Sequence, residues 1–314
     1  VQRDIVQSIE VKSAALQLMP HVRMKRAQQR IPVMSQLPVA YWITGASLDA
    51  RDIGMKQTTS LLWDNVYLNA EEMAVIVPIA KNLLDDMDYD FWAQTKPKIT
   101  EAFGVALDDA IFFGTNAPST FPPAIVTSAN SAGNLVIAGT STVDFLDDVN
   151  SAMALVEADG FDVTGFWARR QVKAKLRGMR DTTKGFIYYP ETAPNDSPNV
   201  GSLYGEPIVF SNAGLTSFNT GASGYSMIGG QWDQSMLAVR EDISMEMFDT
   251  GVITDNGSPP VIQYNLMQQD MVALRVVARF AWAIPNPVNR QQPTKASRYP
   301  FFAVQQKAST GGEG

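Results

Sequence analysis

The chain has 314 residues, 45% of them hydrophobic and 18% charged, with a net charge of −7. This is a globular composition, long enough for one large domain or two ordinary ones. It contains no cysteine and one histidine, His21, which excludes disulfides, thiolate metal sites, cysteine nucleophiles and two-histidine zinc sites, and weakens any histidine-based triad.

No apolar run approaches the roughly 18 residues that span a bilayer, and no signal-peptide pattern opens the chain. The first residue is Val1, which fits either numbering after processing or removal of an upstream segment. Val1–Gln17 has helix-like spacing at Ile5, Ile9, Lys12 and Leu16 and breaks at Pro20. So short a helix is unstable alone and is expected to dock as an arm. His21 follows the proline and reads as a solvated or locally bonded turn residue. Val22–Arg30 carries Arg23, Lys25, Arg26 and Arg30 with no acid and no interleaved aromatic, so it reads as a solvated strand or loop that meets acidic partners rather than as a stacking surface for bases. Residues 1–60 hold eight bases, Arg51 and Lys56 among them, and four acids, a balance of +4, so the rest of the chain carries −11. A basic arm on an acidic body fits nucleic acid or another copy of the same body; the acidic whole disfavours tight DNA binding.

From Ile31 to about Ala80 the pattern is that of strands, with β-branched and aromatic residues over Val39–Thr44, Leu61–Leu68 and Met73–Ile79 around a turn-rich Gly45–Gly54. This predicts a large hairpin without a core of its own, needing a partner surface. Asp88–Phe113 reads as one long helix with a stripe of Ile99, Phe103, Ala106, Ala110 and Phe113, started by Asp88 or Asp90 and stopped at Gly114. Pro97 is expected to kink it or split it near Thr95. The stripe is expected to pack on the long strand near Val272–Trp282.

Thr115–Thr142 reads as loops with short strands at Ala124–Val126 and Leu135–Ala138. Val143–Ala158 is an amphipathic helix with Asp144, Asp147 and Asp148 in its first turns. Phe161–Trp167 reads as a strand and Ala168–Met179 as a basic helix. After a polar loop over Thr192–Ser202, strands are expected at Pro207–Phe210, Tyr225–Gly229, Met236–Arg240, Ile243–Phe248 and Met271–Trp282. In the last of these Arg275 and Arg279 share a face. A turn is expected at Asn256–Gly257, and Pro285, Pro287 and Pro293 end the regular structure.

The search for chemistry finds little. Gly160 and Gly165 have P-loop spacing, but Phe166 and Trp167 occupy the Lys and Ser/Thr positions. Gly221–Gly224 lacks the spacing of a nucleophile elbow. Asp85, Asp86, Asp88 and Asp90 lack the EF-hand pattern and read as a helix-start cluster, with a divalent-metal enzyme site as the alternative. The adjacent pairs Asp108–Asp109 and Asp147–Asp148 point to different helix faces and do not form an acid/base couple. No catalytic, cofactor or metal residue is assigned, and an enzyme is not expected.

The order of elements does carry a resemblance. SAALQLMPHVRM, AYWITGA, NVYLNAEEMAVIVPIAKNLLDD leading to DDAIFFGT, GFWARRQVKAKLRGMRDTTKGFIYY, GSLYGEPIVFSN, MIGGQWDQSMLAVRED and DMVALRVVARFAWAIPNP occur in sequence over roughly Ile5–Asn289. Together they resemble the major capsid proteins of tailed bacteriophages of the Hong Kong 97 type. That resemblance implies an α+β capsid fold divided into an N-terminal arm (1–22), an extended loop (23–72), a peripheral domain with a spine helix (73–117), an axial domain (118–240), a return to the peripheral domain (241–304) and a flexible tail (305–314).

It also implies self-assembly into hexamers and pentamers of an icosahedral head around packaged double-stranded DNA, without sequence-specific DNA binding. Assembly would take place in the host bacterial cytoplasm, with portal, scaffolding or decoration proteins as further partners and no membrane. Loss of a scaffolding segment in such proteins would fit Val1 as a mature start. Arg23, Lys25, Arg26, Arg30, Arg51 and Lys56 are then expected at contacts between subunits. Two departures stand out. Thr44 occupies a place where the family often has glutamate. Lys56 and Asn265 lie near the positions of a self-crosslink, but Gln268–Leu274 offers only Asp270 as an acid, so no crosslink is expected. An encapsulin-like compartment shell is the nearest alternative. A DNA-binding protein using 22–30 and 168–180 is the more distant one.

Overall fold

A computed structural model describes residues 13–40, 42, 58–85, 91–138, 145–178, 200–211, 224–255 and 257–306. In chain order its elements are α1 (Ala14–Leu18), β1 (His21–Arg23), β2 (Gln28–Gln36), β3 (Leu62–Asn69), β4 (Glu71–Ala80), α2 (Lys81–Asp85), α3 (Phe91–Phe113), α4 (Ile125–Ala132), β5 (Leu135–Ala138) and α5 (Phe145–Ala158). There follow β6 (Gly165–Arg169), α6 (Val172–Gly178), β7 (Val200–Leu203), β8 (Glu206–Ser211), β9 (Tyr225–Gly230), β10 (Met236–Phe248), β11 (Val252–Thr254), β12 (Ile262–Asn265), β13 (Met271–Ala283) and β14 (Phe301–Gln306). Among the described residues, no helix is long and apolar enough to cross a membrane.

Two larger sheets organise the chain. One has the order β1–β10–β13–β4, with β1 parallel to β10 and the other pairs antiparallel. The other has the order β5–β14–β9–β6–β8–β7. In the six-stranded sheet the alternation of side chains assigns each residue to one of two cores. Trp167, Val209, Ile228, Phe301 and Ala303 face the core shared with α1, α3, α4 and β13. Phe166, Ala168, Ile208, Phe210, Met227, Phe302 and Val304 face a second core with Val149, Ala152 and Val156 of α5 and Val172 and Leu176 of α6. Covered on both sides, β6 is buried along its whole length, and its GFWAR sequence shows no polar alternation. At Gly230 (φ +156°) an added Cβ would collide with the Pro300 carbonyl, so β9 and β14 meet there without a side chain.

The long helix is one element from Phe91 to Phe113, not split near Thr95. Pro97 removes a ladder hydrogen bond at a cost of about 3 kcal/mol, and the packing of the C-terminal half outweighs it. That packing differs from the expected stripe. Ile99, Phe103, Leu107 and Ile111 form an i, i+4 ridge in the main core, flanked by buried Asp108 and Phe112. Ala106 is exposed and Phe113 half-buried. Ile99, Phe103 and Ala110 of the expected stripe are buried, so it follows the face in its first half and drifts to its edge beyond Phe103, where Leu107 and Ile111 continue the ridge. The ridge does share its core with Leu274, Val276, Ala278, Phe280 and Trp282 of the long strand. Asp86, Asp88 and Asp90 lie outside the described residues.

Other expectations need correction. Ala124–Val126 is not a strand: Ile125, Val126 and Ala129 make a buried helical face, and Gly133 closes α4 in the left-handed conformation. The strand read at Phe161–Trp167 begins only at Gly165, and the basic helix begins at Val172, because Ala168 and Arg169 belong to β6. The two strands expected over 236–248 are one, interrupted by register shifts around Glu241. The β11–β12 pair, on either side of Pro260, does not figure among the expected strands. Nor does β14, which follows Pro300 and enters the middle of the six-stranded sheet. Gln305 and Gln306 are thus strand residues, not tail; residues 307–314 lie outside the described ones.

Candidate assembly surfaces

The hairpin expected between Ile31 and Leu68 is present as β2 and β3, antiparallel from Gln28 opposite Asn69 to Gln36 opposite Leu62. Along its two strands Val33 and Leu68 alone are buried. Its foot has a small core of Met24, Leu68, Ala238, Ala281 and Ala283. Beyond the foot it exposes Val39, Leu61, Leu62, Trp63 (59%) and Tyr67, and Trp42 is 94% exposed. Monomers rarely leave so much contiguous apolar surface in water; such patches mark interaction sites.

The segment after β13 braces the hairpin, a role the sequence did not disclose. Val288 N–H donates to the Met34 carbonyl at 3.2 Å, Arg290 to the Pro38 carbonyl at 3.1 Å, and Lys295 Nζ to Asp64 Oδ2 at 3.0 Å. The Lys295 hydrogen bond holds the Asp64 carboxyl below its ordinary value. A second apolar projection was also missed. Met247, Phe248, Val252, Val261, Ile262, Tyr264 and Met267 are exposed on and around β11–β12, Met267 by 77%. Its signal was the apolar-polar alternation of VIQYN after Pro260.

The basic residues separate into two groups. Arg23, Lys25, Arg26 and Arg30 are exposed along the end of β1 and the start of β2, and none forms an ion pair with a described residue. Arg51 and Lys56 lie outside the described residues. Of the described bases near 168–180, Arg170, Lys175 and Arg177 are exposed, Lys173 is half-buried and Arg169 is buried. Arg169 is buried in β6 near Asp109, and burial lowers its pKa to about 10. Lys173 lies 4.5 Å from the centre of the Phe210 ring and Lys175 5.6 Å from that of Phe145. Burial first, and then the charges of Arg170 and Arg177, lower the Lys173 pKa. Arg169 is thus part of the sheet and not of the basic helix.

The outer face of the four-stranded sheet carries ion pairs beside exposed Ile76 and Phe248. Arg275 pairs with Glu246 and also covers the Phe248 ring, and Arg279 binds Glu72 at 2.7 Å. This bears out the expected shared face of Arg275 and Arg279. No group of His, Asp and Glu among the described residues is arranged to hold a metal. Asn265 is engaged locally, donating to Gln268 Oε1 at 2.8 Å, and Asp270 faces Lys81 at 3.4 Å.

The arm is fixed by a group read from the sequence merely as half of a helix pair. Asp108, buried within α3, accepts from Ser13 Oγ at 2.6 Å, Ala14 N–H at 2.8 Å and Ala15 N–H at 3.0 Å. Ser13 in turn caps α1 by accepting from Leu16 N–H at 3.2 Å. Burial pushes the Asp108 carboxyl up from 3.8 to about 7, against the lowering effect of its three donors.

A two-core body that carries a docked arm and an apolar hairpin, braced at one side but largely uncovered, is built to be completed by other chains: it is a structural subunit. Residues 1–288 match the phage capsid family, and the chain belongs to that family. It is 28% identical over 280 residues to the major capsid protein of Staphylococcus phage 80alpha, covering 88% of this chain and 78% of that protein. Solved structures from Microbacterium phage Oxtober96 (32% identity, TM-score 0.76, 94% of this chain and 91% of the other) and Mycobacterium phage Bobi (27%, 0.75, 95% and 91%) share its fold. The protein is a major capsid protein of a tailed phage, part of the icosahedral virion head, and not an enzyme. The encapsulin-like alternative is not favoured.

Proposed function

We propose that copies of this chain assemble as hexamers and pentamers of a Hong Kong 97-type head around packaged double-stranded DNA. Residues 1–22 act as the arm and 23–72 as the extended loop. Residues 73–117 and the return from 241 build the peripheral domain, and 118–240 the axial domain. The chain runs back to the axial sheet at β14. Assembly takes place in the host bacterial cytoplasm, with portal, scaffolding or decoration proteins as further partners.

What supports this reading is the β2–β3 hairpin, which beyond its foot leaves Leu61, Leu62, Trp63 and Tyr67 exposed on its own subunit. Obligate contacts of this kind bury large apolar areas and use charge to set register. The exposed bases Arg23, Lys25, Arg26 and Arg30, together with Arg51 and Lys56, meet acidic surface on a neighbouring copy. Reversing Arg23, Lys25, Arg26 and Arg30 to glutamate tests this. The expected result is a folded subunit that no longer assembles; unchanged assembly removes these bases from the interface. No Lys56–Asn265 crosslink forms, so the assembled protein runs as a single band on a denaturing gel, and a ladder of multiples would contradict that.

A further inference from the structure

Asp108 ties together two parts of the chain that lie 93 to 95 residues apart in sequence. Its two oxygens take a hydroxyl and two amide hydrogens from the start of α1, and the side chains below, Ala14, Ala15, Leu16 and Met19, enter the main core. The carboxylate sits where the first free N–H groups of the helix converge, which favours a negative charge. It does so with no cation among the groups that act on it. α1 and α4 carry no titratable side chain. β8, packed against α1, carries Glu206 alone, half-buried at its start. On α3 itself the neighbouring Asp109 opposes ionisation, and Arg169 acts on Asp109.

We propose that Asp108 is a proton-operated latch that docks residues 13–19 of the arm onto the long helix. The hydroxyl of Ser13 lets the joint work in both protonation states. With Asp108 ionised, Ser13 Oγ–H donates to it. With Asp108 protonated, the carboxyl O–H donates to Ser13 Oγ, and the hydroxyl hydrogen rotates away. The proton comes from solvent and no covalent bond changes.

The direction follows from burial. The docked carboxyl titrates at about 7 and a released, hydrated one near 3.8, so the docked state holds its proton more tightly. Docking is strongest below pH 3.8, weakens as the pH rises to 7, and is level above that. The full span corresponds to a change on the order of a thousandfold in the docking equilibrium. The consequence for assembly rests on the reading of residues 1–22 as an assembly arm, with acid holding the arm on its own subunit and neutral pH freeing it.

The chain has no cysteine, so Gln17→Cys in the full-length protein gives a single site for a nitroxide spin label on the exposed side of α1. The label is expected to be largely immobile at pH 5.5, to gain mobility up to about pH 7 and to change little from there to pH 8. Asp108→Asn, which mimics the protonated acid, is expected to keep it immobile throughout. Ser13→Ala removes a hydrogen bond that the joint keeps in both protonation states, so it weakens docking throughout and is expected to move the midpoint to lower pH. This variant decides the matter if Asp108→Asn does not fold. Mobility independent of pH in the labelled parent, an unchanged profile in Asp108→Asn, or an unmoved midpoint in Ser13→Ala would each overturn the latch. Particle formation by the same samples, followed by sedimentation, reports separately on the shell reading.

Discussion

The six-stranded sheet and the β2–β3 hairpin are made from similar residues and end in opposite states. In β6, β9 and β14, aromatic and β-branched side chains alternate between two cores and nearly all are buried. In the hairpin, Ile31, Val33, Leu62, Trp63, Val66, Tyr67 and Leu68 supply side chains of the same kinds, yet only Val33 and Leu68 are fully buried, and Ile31 and Val66 half-buried. The difference is not in strand propensity, which both regions satisfy. It lies in what faces the strand: the sheet has helices of its own chain on both sides, whereas most of the hairpin faces none. Apolar side chains that a subunit cannot bury are apolar side chains that an assembly buries.

The comparison can be broken by substitution. Phe103→Ala, in the ridge of α3, is expected to destabilise the subunit by about 3–5 kcal/mol, measured by denaturant unfolding. Trp63→Ala, equally large in side-chain area removed, is expected to change subunit stability by less than about 0.5 kcal/mol while abolishing particle formation. If Trp63→Ala lowers subunit stability as much as Phe103→Ala does, the hairpin has a core of its own and the contrast fails. Lys295→Ala tests the brace between hairpin and body. An exposed ion pair of this sort is worth up to about 1 kcal/mol, so a small loss that shrinks at high salt is expected. A larger, salt-independent loss would make the brace part of the fold.

Much of this architecture was legible in the chain. The hairpin, β4, the long helix, α5 and β13 follow from period and composition, because each has a long, regular pattern. The errors share physical causes. At Ala124–Val126, three small or β-branched residues were too few to distinguish a strand from the first turn of a helix. At Arg169, a charged residue suggested the start of a solvated helix, where the strand in fact continues with the guanidinium beside Asp109. β14 was hidden by the prolines before it, although Pro300 sits just ahead of the strand, where proline costs least.

The assembly surfaces were only partly legible. The bases of 23–30 and the coreless hairpin could be read directly. Asp108 could not, because its role depends on Ser13 arriving from the far end of the sequence. The bracing contacts of Val288, Arg290 and Lys295 depend in the same way on a segment with no regular structure.

The central claim is that this chain is complete only in the company of its copies, and negative-stain electron microscopy of the purified full-length protein under assembling conditions tests it most directly. Closed, roughly icosahedral particles with hexameric and pentameric clusters are the predicted result, and Trp63→Ala should yield none. A wild-type field of monomers or small oligomers alone would contradict the account.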